Sequence, residues 1–230
     1  MTTTHSTDGW PAAVHLLHGL GRALPLGETQ DATWLFERAA TTELRRAGAT
    51  VPGTAPGRLR IDLADPDTAG VLAVAAPPSA LPPGPLRIDG EFAALPGEPL
   101  PALADQLRRV LLACAADRLG LHVTEVNLQV TALLESADAS PVASTPVEVL
   151  TASPNHEAAF TTVTVPGVAH LTRTLGSPVT ERRGHLRVEI ATAAGHHPLH
   201  VARDVRRAIT ATLPSGTAVS VMITAVNVTD

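Results

Sequence analysis

No tyrosine and no lysine occur among the 230 residues of this chain, cysteine occurs once, and aromatic residues make up only 2%. So few rings exclude a core organised around aromatic side chains and leave Leu, Val, Ile and Ala to build one from many small contacts. All 17 basic residues are arginine, a bias shared with the richness in alanine and proline and expected of a GC-rich gene. The net charge of −5 speaks against generic binding to phosphate backbones, which needs concentrated positive charge. The lone Cys114 excludes an internal disulfide and falls on the apolar side of a predicted helix, where a free thiol acts as a small buried hydrophobe. No run approaches the roughly 18 apolar residues of a membrane span. The polar stretch Met1 to Asp8 lacks a basic signal-peptide region, so the expected location is cytoplasmic, with any membrane association made through a partner.

What is present suits a globular protein: 44% of residues are apolar and 17% charged, enough to bury a core. The segment 1–30 includes an apolar stretch, Trp10 to Leu26, that reads as a short helix seeking a surface. A helix is predicted over Asp31–Gly48 from the stripe Leu35, Phe36, Ala39, Ala40, Leu44 and Ala47. Alternation at Leu59, Ile61 and Leu63 predicts a strand, and Ala64 to Pro85 reads as a long Pro/Ala-rich loop. A strand over Leu86–Ala94, a helix over Leu100–Arg118 and a strand over Val123–Leu133 follow. Residues 135–156 have the Ser/Pro/Ala composition of a linker. After it come a strand at Leu186–Thr192, a helix at Leu199–Leu213 and a strand at Val219–Val226.

These elements describe two units, 31–134 and 157–230, that can be laid on each other. Leu103, Leu107 and Leu111 fall on Val201, Val205 and Ile209 at a constant offset of 98 positions, which also superposes Arg108-Arg109 on Arg206-Arg207. The offset is 100 at Leu86 and Leu186, and 93 for Val126, Leu128 and Val130 against Val219, Val221 and Ile223. It changes only in loops, as duplication and drift would leave it. The expectation is an α+β protein of two repeated units. Each has about three strands and one amphipathic crossing helix between parallel strands, and the first has an extra leading helix.

The strand Leu86-Arg87-Ile88-Asp89, the helix segment Leu103-Ala104-Asp105-Gln106-Leu107 and the run from Gly120-Leu121 through Val126-Asn127-Leu128 to Val130 resemble the alkaline-shock family of bacterial envelope-stress proteins. So does the turn Val165-Pro166-Gly167-Val168, of which Val51-Pro52-Gly53 keeps three residues. The second unit departs from this pattern in showing no clear leading helix and in carrying Pro214-Ser215-Gly216 in place of a Gly-Leu turn. The resemblance implies a non-catalytic scaffold or adaptor, without cofactor, metal or catalytic residues, that binds a small membrane-anchored protein or a related family member and can form a homo-oligomer.

Two other classes compete. A metal-dependent enzyme would use the cluster His196, His197 and His200, since His196 and His200 have the spacing of zinc ligands on a helix. Pro198 opposes this by pushing the preceding residues out of helical geometry, and a solvated loop is the plainer reading. A nucleic-acid-binding module would use the strand-helix-strand unit found in KH domains, but the G-x-x-G loop those need is absent. The pairs Arg108-Arg109 and Arg206-Arg207 read as solvated helix surface near Asp105 and Asp204. His15 and His18 belong to the docking segment, and Gly19-Leu20-Gly21 lacks both the preceding strand and the Lys-Ser or Lys-Thr pair of a phosphate loop.

Overall fold

The computed structural model describes residues 19–68, 70, 76–77, 79–134, 150–182, 184–214 and 216–228. Among them lie ten strands and four α-helices. Strands β1 (Ala23–Pro25) and β2 (Thr33–Phe36) precede helix α1 (Glu37–Gly48). Strands β3 (Thr54–Leu63) and β4 (Leu86–Ala94), helix α2 (Leu100–Ala113) and β5 (Val123–Leu133) form the first sheet and its crossover. The second part contains β6 (Thr151–Ala152), α3 (Glu157–Val163), β7 (Val168–Thr172), β8 (Val179–Arg182), β9 (His185–Ala193), α4 (Pro198–Thr210) and β10 (Ala218–Val228).

In both parts a helix joins two parallel strands: α2 lies between β4 and β5, and α4 between β9 and β10. Each crossover helix buries one stripe, Leu103, Leu107 and Leu111 on α2 and Val201, Val205 and Ile209 on α4. The likeness extends further. Helix α1, Val51-Pro52-Gly53 and β3 are followed by β4, just as α3, Val165-Pro166-Gly167 and β7 lead through the added hairpin strand β8 to β9. β3 runs antiparallel to β4, and β7 antiparallel to β9. The expected absence of a leading helix in the second unit is therefore corrected by α3, whose single amphipathic turn pair is too short to give a periodic signal.

The sheets differ in size. The first has the order β3-β4-β5, while the second has seven strands, β1-β2-β10-β9-β7-β6 with β8 also on β9. The expectation of about three strands in each unit fails here. β1 and β2 come from the start of the chain, and β2 lies parallel to β10, with Trp34 opposite Met222 and Leu35 opposite Ile223. The helix predicted from Asp31 accordingly starts at Glu37. Thr33, Trp34, Leu35 and Phe36 are all buried, and a strand buried on both faces is a continuous apolar run that periodicity cannot tell from a helix. The end of the expected linker is ordered too, since β6 pairs with β7; residues 135–149 lie outside the described residues.

One hydrophobic core runs through both sheets, from Leu24 and Leu35 through Ile88 and Leu107 to Val205 and Ile223. Helix α1 sits at its centre, and its small residues set the spacing. A side chain at Gly48 would lie 2.8 Å from Pro56 and 3.0 Å from Leu107. Of the Trp10 to Leu26 segment, Leu20, Leu24 and Leu26 are buried, with Ala23–Pro25 in a strand rather than the expected helix; His15 and His18 fall outside the described residues. None of the helices among the described residues is long and apolar enough to cross a membrane.

Candidate interaction surface

The histidine cluster is divided by the geometry of α4. His197 is the N-cap residue and Pro198 the first helical residue, so His196 precedes the helix. A side chain at Gly120 would lie 2.6 Å from the His197 ring, and one at Gly167 would lie 2.7 Å from the His196 Nδ1. The two rings thus seat against different glycine turns, both of which need glycine for positive φ, +74° and +90°. The His197 and His200 rings lie 4.5 Å apart. Burial, with His200 and Arg203 adding to it, lowers the pKa of His197. Among the described residues no three His, Cys, Asp or Glu side chains converge as a metal site. Cys114 is buried with its thiol pushed up by burial, and its Sγ lies 3.8 Å from the Glu43 carbonyl oxygen.

The arginine pairs are less solvated than the sequence suggests. Arg108 Nε donates to the carbonyl of Val126 at 3.0 Å, and Arg206 Nε to that of Val219 at 3.1 Å. Each clips its crossover helix to the following strand, at positions that coincide in the sequence overlay. Arg108 also pairs with Asp105, whereas in the second unit it is Arg207 that pairs with Asp204, at 2.7 Å. Arg109 and Arg207 carry the exposed members. Leu20 is buried in a small apolar cluster with Ala23, Trp34 and Phe36, and Gly21 after it has a positive φ.

Sequence patterns missed three buried acids. Asp31 accepts both a 2.8 Å bond from Arg203 Nε and a 2.8 Å bond from its terminal nitrogen, fastening the start of the chain to α4. Glu43, on α1, receives Arg118 at 2.9 Å and the Asn227 amide of β10 at 2.5 Å. Glu189 is fully buried, accepts from the Leu175 backbone at 3.0 Å, and has Arg187 at 3.4 Å. Burial outweighs these two and the Thr174 backbone, and raises its pKa to about 7. Asp31 has a weak signal, as a turn-forming acid before an apolar run; Glu189 has none, because the alternation of Leu186, Val188 and Ile190 cannot show that the second face of the strand is covered.

The polar face of the first sheet is a lattice of opposed charges. Arg60 stands opposite Asp89 and Asp62 opposite Arg87, which in turn faces Glu125. Asn127 donates to Asp89 at 3.0 Å. A shallow groove of about 420 Å³ lies on this face between Arg58, Arg60, Glu91 and Gln129. Its charges are mutually balanced, which is the arrangement of a solvated sheet face.

The edge of that sheet is different. The outer edge of β5 has no strand on it among the described residues. The opposite edge strand, β3, carries Pro56, a register shift between Pro56 and Leu59, and the exposed charges Arg58 and Arg60, the usual devices against unwanted pairing. β5 has eleven residues, Val123-Thr-Glu-Val-Asn-Leu-Gln-Val-Thr-Ala-Leu133, with one charge and no Pro or Gly. It is regular from Glu125 to Val130, between two register shifts.

The corresponding strand β10 shows what closure does. With β2 alongside and α1 packed beyond it, Val221 and Ile223 are 0% exposed. On β5 the residues aligned with them, Leu128 and Val130, are only half-buried, and Leu133 is 61% exposed. The two edges are equivalent in topology and opposite in occupancy. No protein family, characterised protein or solved structure shows significant similarity to the chain.

Proposed function

We propose that this protein is a non-catalytic scaffold or adaptor of bacterial envelope homeostasis, built from two diverged copies of one unit and assembling through protein–protein contacts with a membrane-anchored partner. The observation that carries the reading is the edge of β5, regular over Glu125–Val130 and without a strand on it among the described residues, a template for strand addition. Duplication is supported by the matching order and direction of β3-β4-β5 and β7-β9-β10, and by the repeated arginine clip. The envelope role rests on the resemblance of the Gly120-Leu121 and Val165-Pro166-Gly167-Val168 turns and the β5 motif to the alkaline-shock family. Affinity isolation of the full chain from detergent-solubilised cells tests it. The expected result is stoichiometric recovery of a membrane-anchored protein, with no bound RNA and no zinc after dialysis. Recovery of no such protein overturns the reading, as does stoichiometric zinc lost on replacing His196 and His200.

A further inference from the structure

We propose that the open edge of β5 is closed by the same edge of a second copy, antiparallel about a twofold axis at Leu128, joining two three-stranded sheets into one of six strands. The inference rests on the scaffold reading and gives this edge to self-assembly, so that a membrane-anchored partner would dock elsewhere on the assembled sheet.

A twofold interface brings one patch against itself, so it demands self-complementary chemistry. β5 has it. Antiparallel pairing centred on Leu128 sets Val126 against Val130 of the partner subunit, Asn127 against the partner's Gln129, and Leu128 against the partner's Leu128. Like thus meets like across the regular stretch: apolar side chains remain on the helix-covered face and amides on the polar face. The sole charge, Glu125, meets the neutral end of the other strand, so no like charges oppose. A register shifted by one residue would set Val126 against the partner's Gln129 and put every apolar side chain on the wrong face.

The second unit supplies the energetic argument. The same edge there is closed within the chain by β2, and part of the change from half-buried Leu128 and Val130 to fully buried Val221 and Ile223, the rest coming from α1, is the burial that an added strand provides. A second copy gains this twice, once on each side of the axis. A foreign strand would have no reason to match the palindromic order valine, amide, leucine, amide, valine.

Sedimentation of the full chain over a concentration series, together with engineered crosslinking, tests the proposal. A dimer is expected. Leu128→Cys should give a disulfide-linked dimer on mild oxidation, because opposed residues of an antiparallel pair stand about 4.5 to 5.5 Å apart at Cα, within disulfide reach. The buried Cys114 should not react in the parent protein. In the double variant Asn127→Lys with Gln129→Lys, the new charges lie beside Asp89 and Glu91 of the same chain, so the fold is retained, yet four positive charges gather at the axis. Dimer dissociation should strengthen by at least about tenfold with an unchanged circular dichroism spectrum. A monomeric parent protein overturns the proposal, as does a dimer that neither crosslinks at position 128 nor responds to the double variant. A monomer that still recovers a membrane-anchored protein would overturn the twofold pairing alone and leave the scaffold reading standing.

Discussion

Glu189 and Asp31 place opposite demands on pH. The folded pKa of Glu189 is raised to about 7, chiefly by burial, so between the unfolded carboxylate value and 7 the native state holds a proton that the unfolded chain has lost. Stability from this group is therefore greatest below that window and falls as pH rises through it, by on the order of 3 kcal/mol. Glu189→Gln should flatten the decline, read as a melting temperature at pH 8 that approaches the value at pH 5. A variant that keeps the full decline would show that Glu189 is ionised at no cost. Asp31 is depressed, first by its hydrogen bonds from Arg203. Its contribution is present above the unfolded aspartate value and is lost as pH falls through the lower folded one. Asp31→Asn should lower stability at pH 7 while leaving the acid end of the profile nearly unchanged, and an equal loss at both ends would place the effect in packing instead of charge.

At the scale of elements, the crossover helices and their strands were legible because each presents one apolar face and one polar face. Leu103, Leu107 and Leu111 announce α2 by spacing alone. β2 was not legible, since Trp34, Leu35 and Phe36 are buried on both sides and leave no period to read. The start of the chain follows the same rule: apolar content signalled that Leu20, Leu24 and Leu26 find a surface, but not that Ala23–Pro25 does so as an edge strand on β2. Removal of residues 1–27 should lower the melting temperature, because three buried leucines at about 1.5 to 3 kcal/mol each lose their burial. An unchanged melting temperature with lost partner binding would move the segment's role outside the fold. The arginine clips allow a matched comparison. Arg108→Met and Arg206→Met keep most of the aliphatic stem and each remove one bond to a strand carbonyl and one carboxylate neighbour, Asp105 and Asp31 respectively, so each should cost at least about 1 kcal/mol in chemical denaturation. A loss at one site only would mean that the two contacts differ in kind.

On the scale of the molecule, the overlay sets α2 on α4 and β5 on β10, each a crossover helix and the parallel strand after it, but its offset of 100 at Leu86 and Leu186 is two residues out, since Val219 pairs with Leu186 whereas Val126 pairs with Ile88. What it could not show is that the units share one core and that the second sheet borrows two strands from the start of the chain. Pairing between distant segments leaves no local trace in either of them. Nor could it show which edge has no strand on it among the described residues, since β5 and β10 carry the same alternation. The borrowed strand has a consequence for biosynthesis. β2 leaves the ribosome with Trp34, Leu35 and Phe36, yet its hydrogen-bonding partner β10, opposite Trp34 at Met222, is translated on the order of ten to forty seconds later at ordinary synthesis rates. Throughout that interval the nascent chain displays an apolar strand with only the three residues of β1 to pair with, a surface of the kind chaperones cover, so premature termination before β10 should send this protein to aggregation or proteolysis.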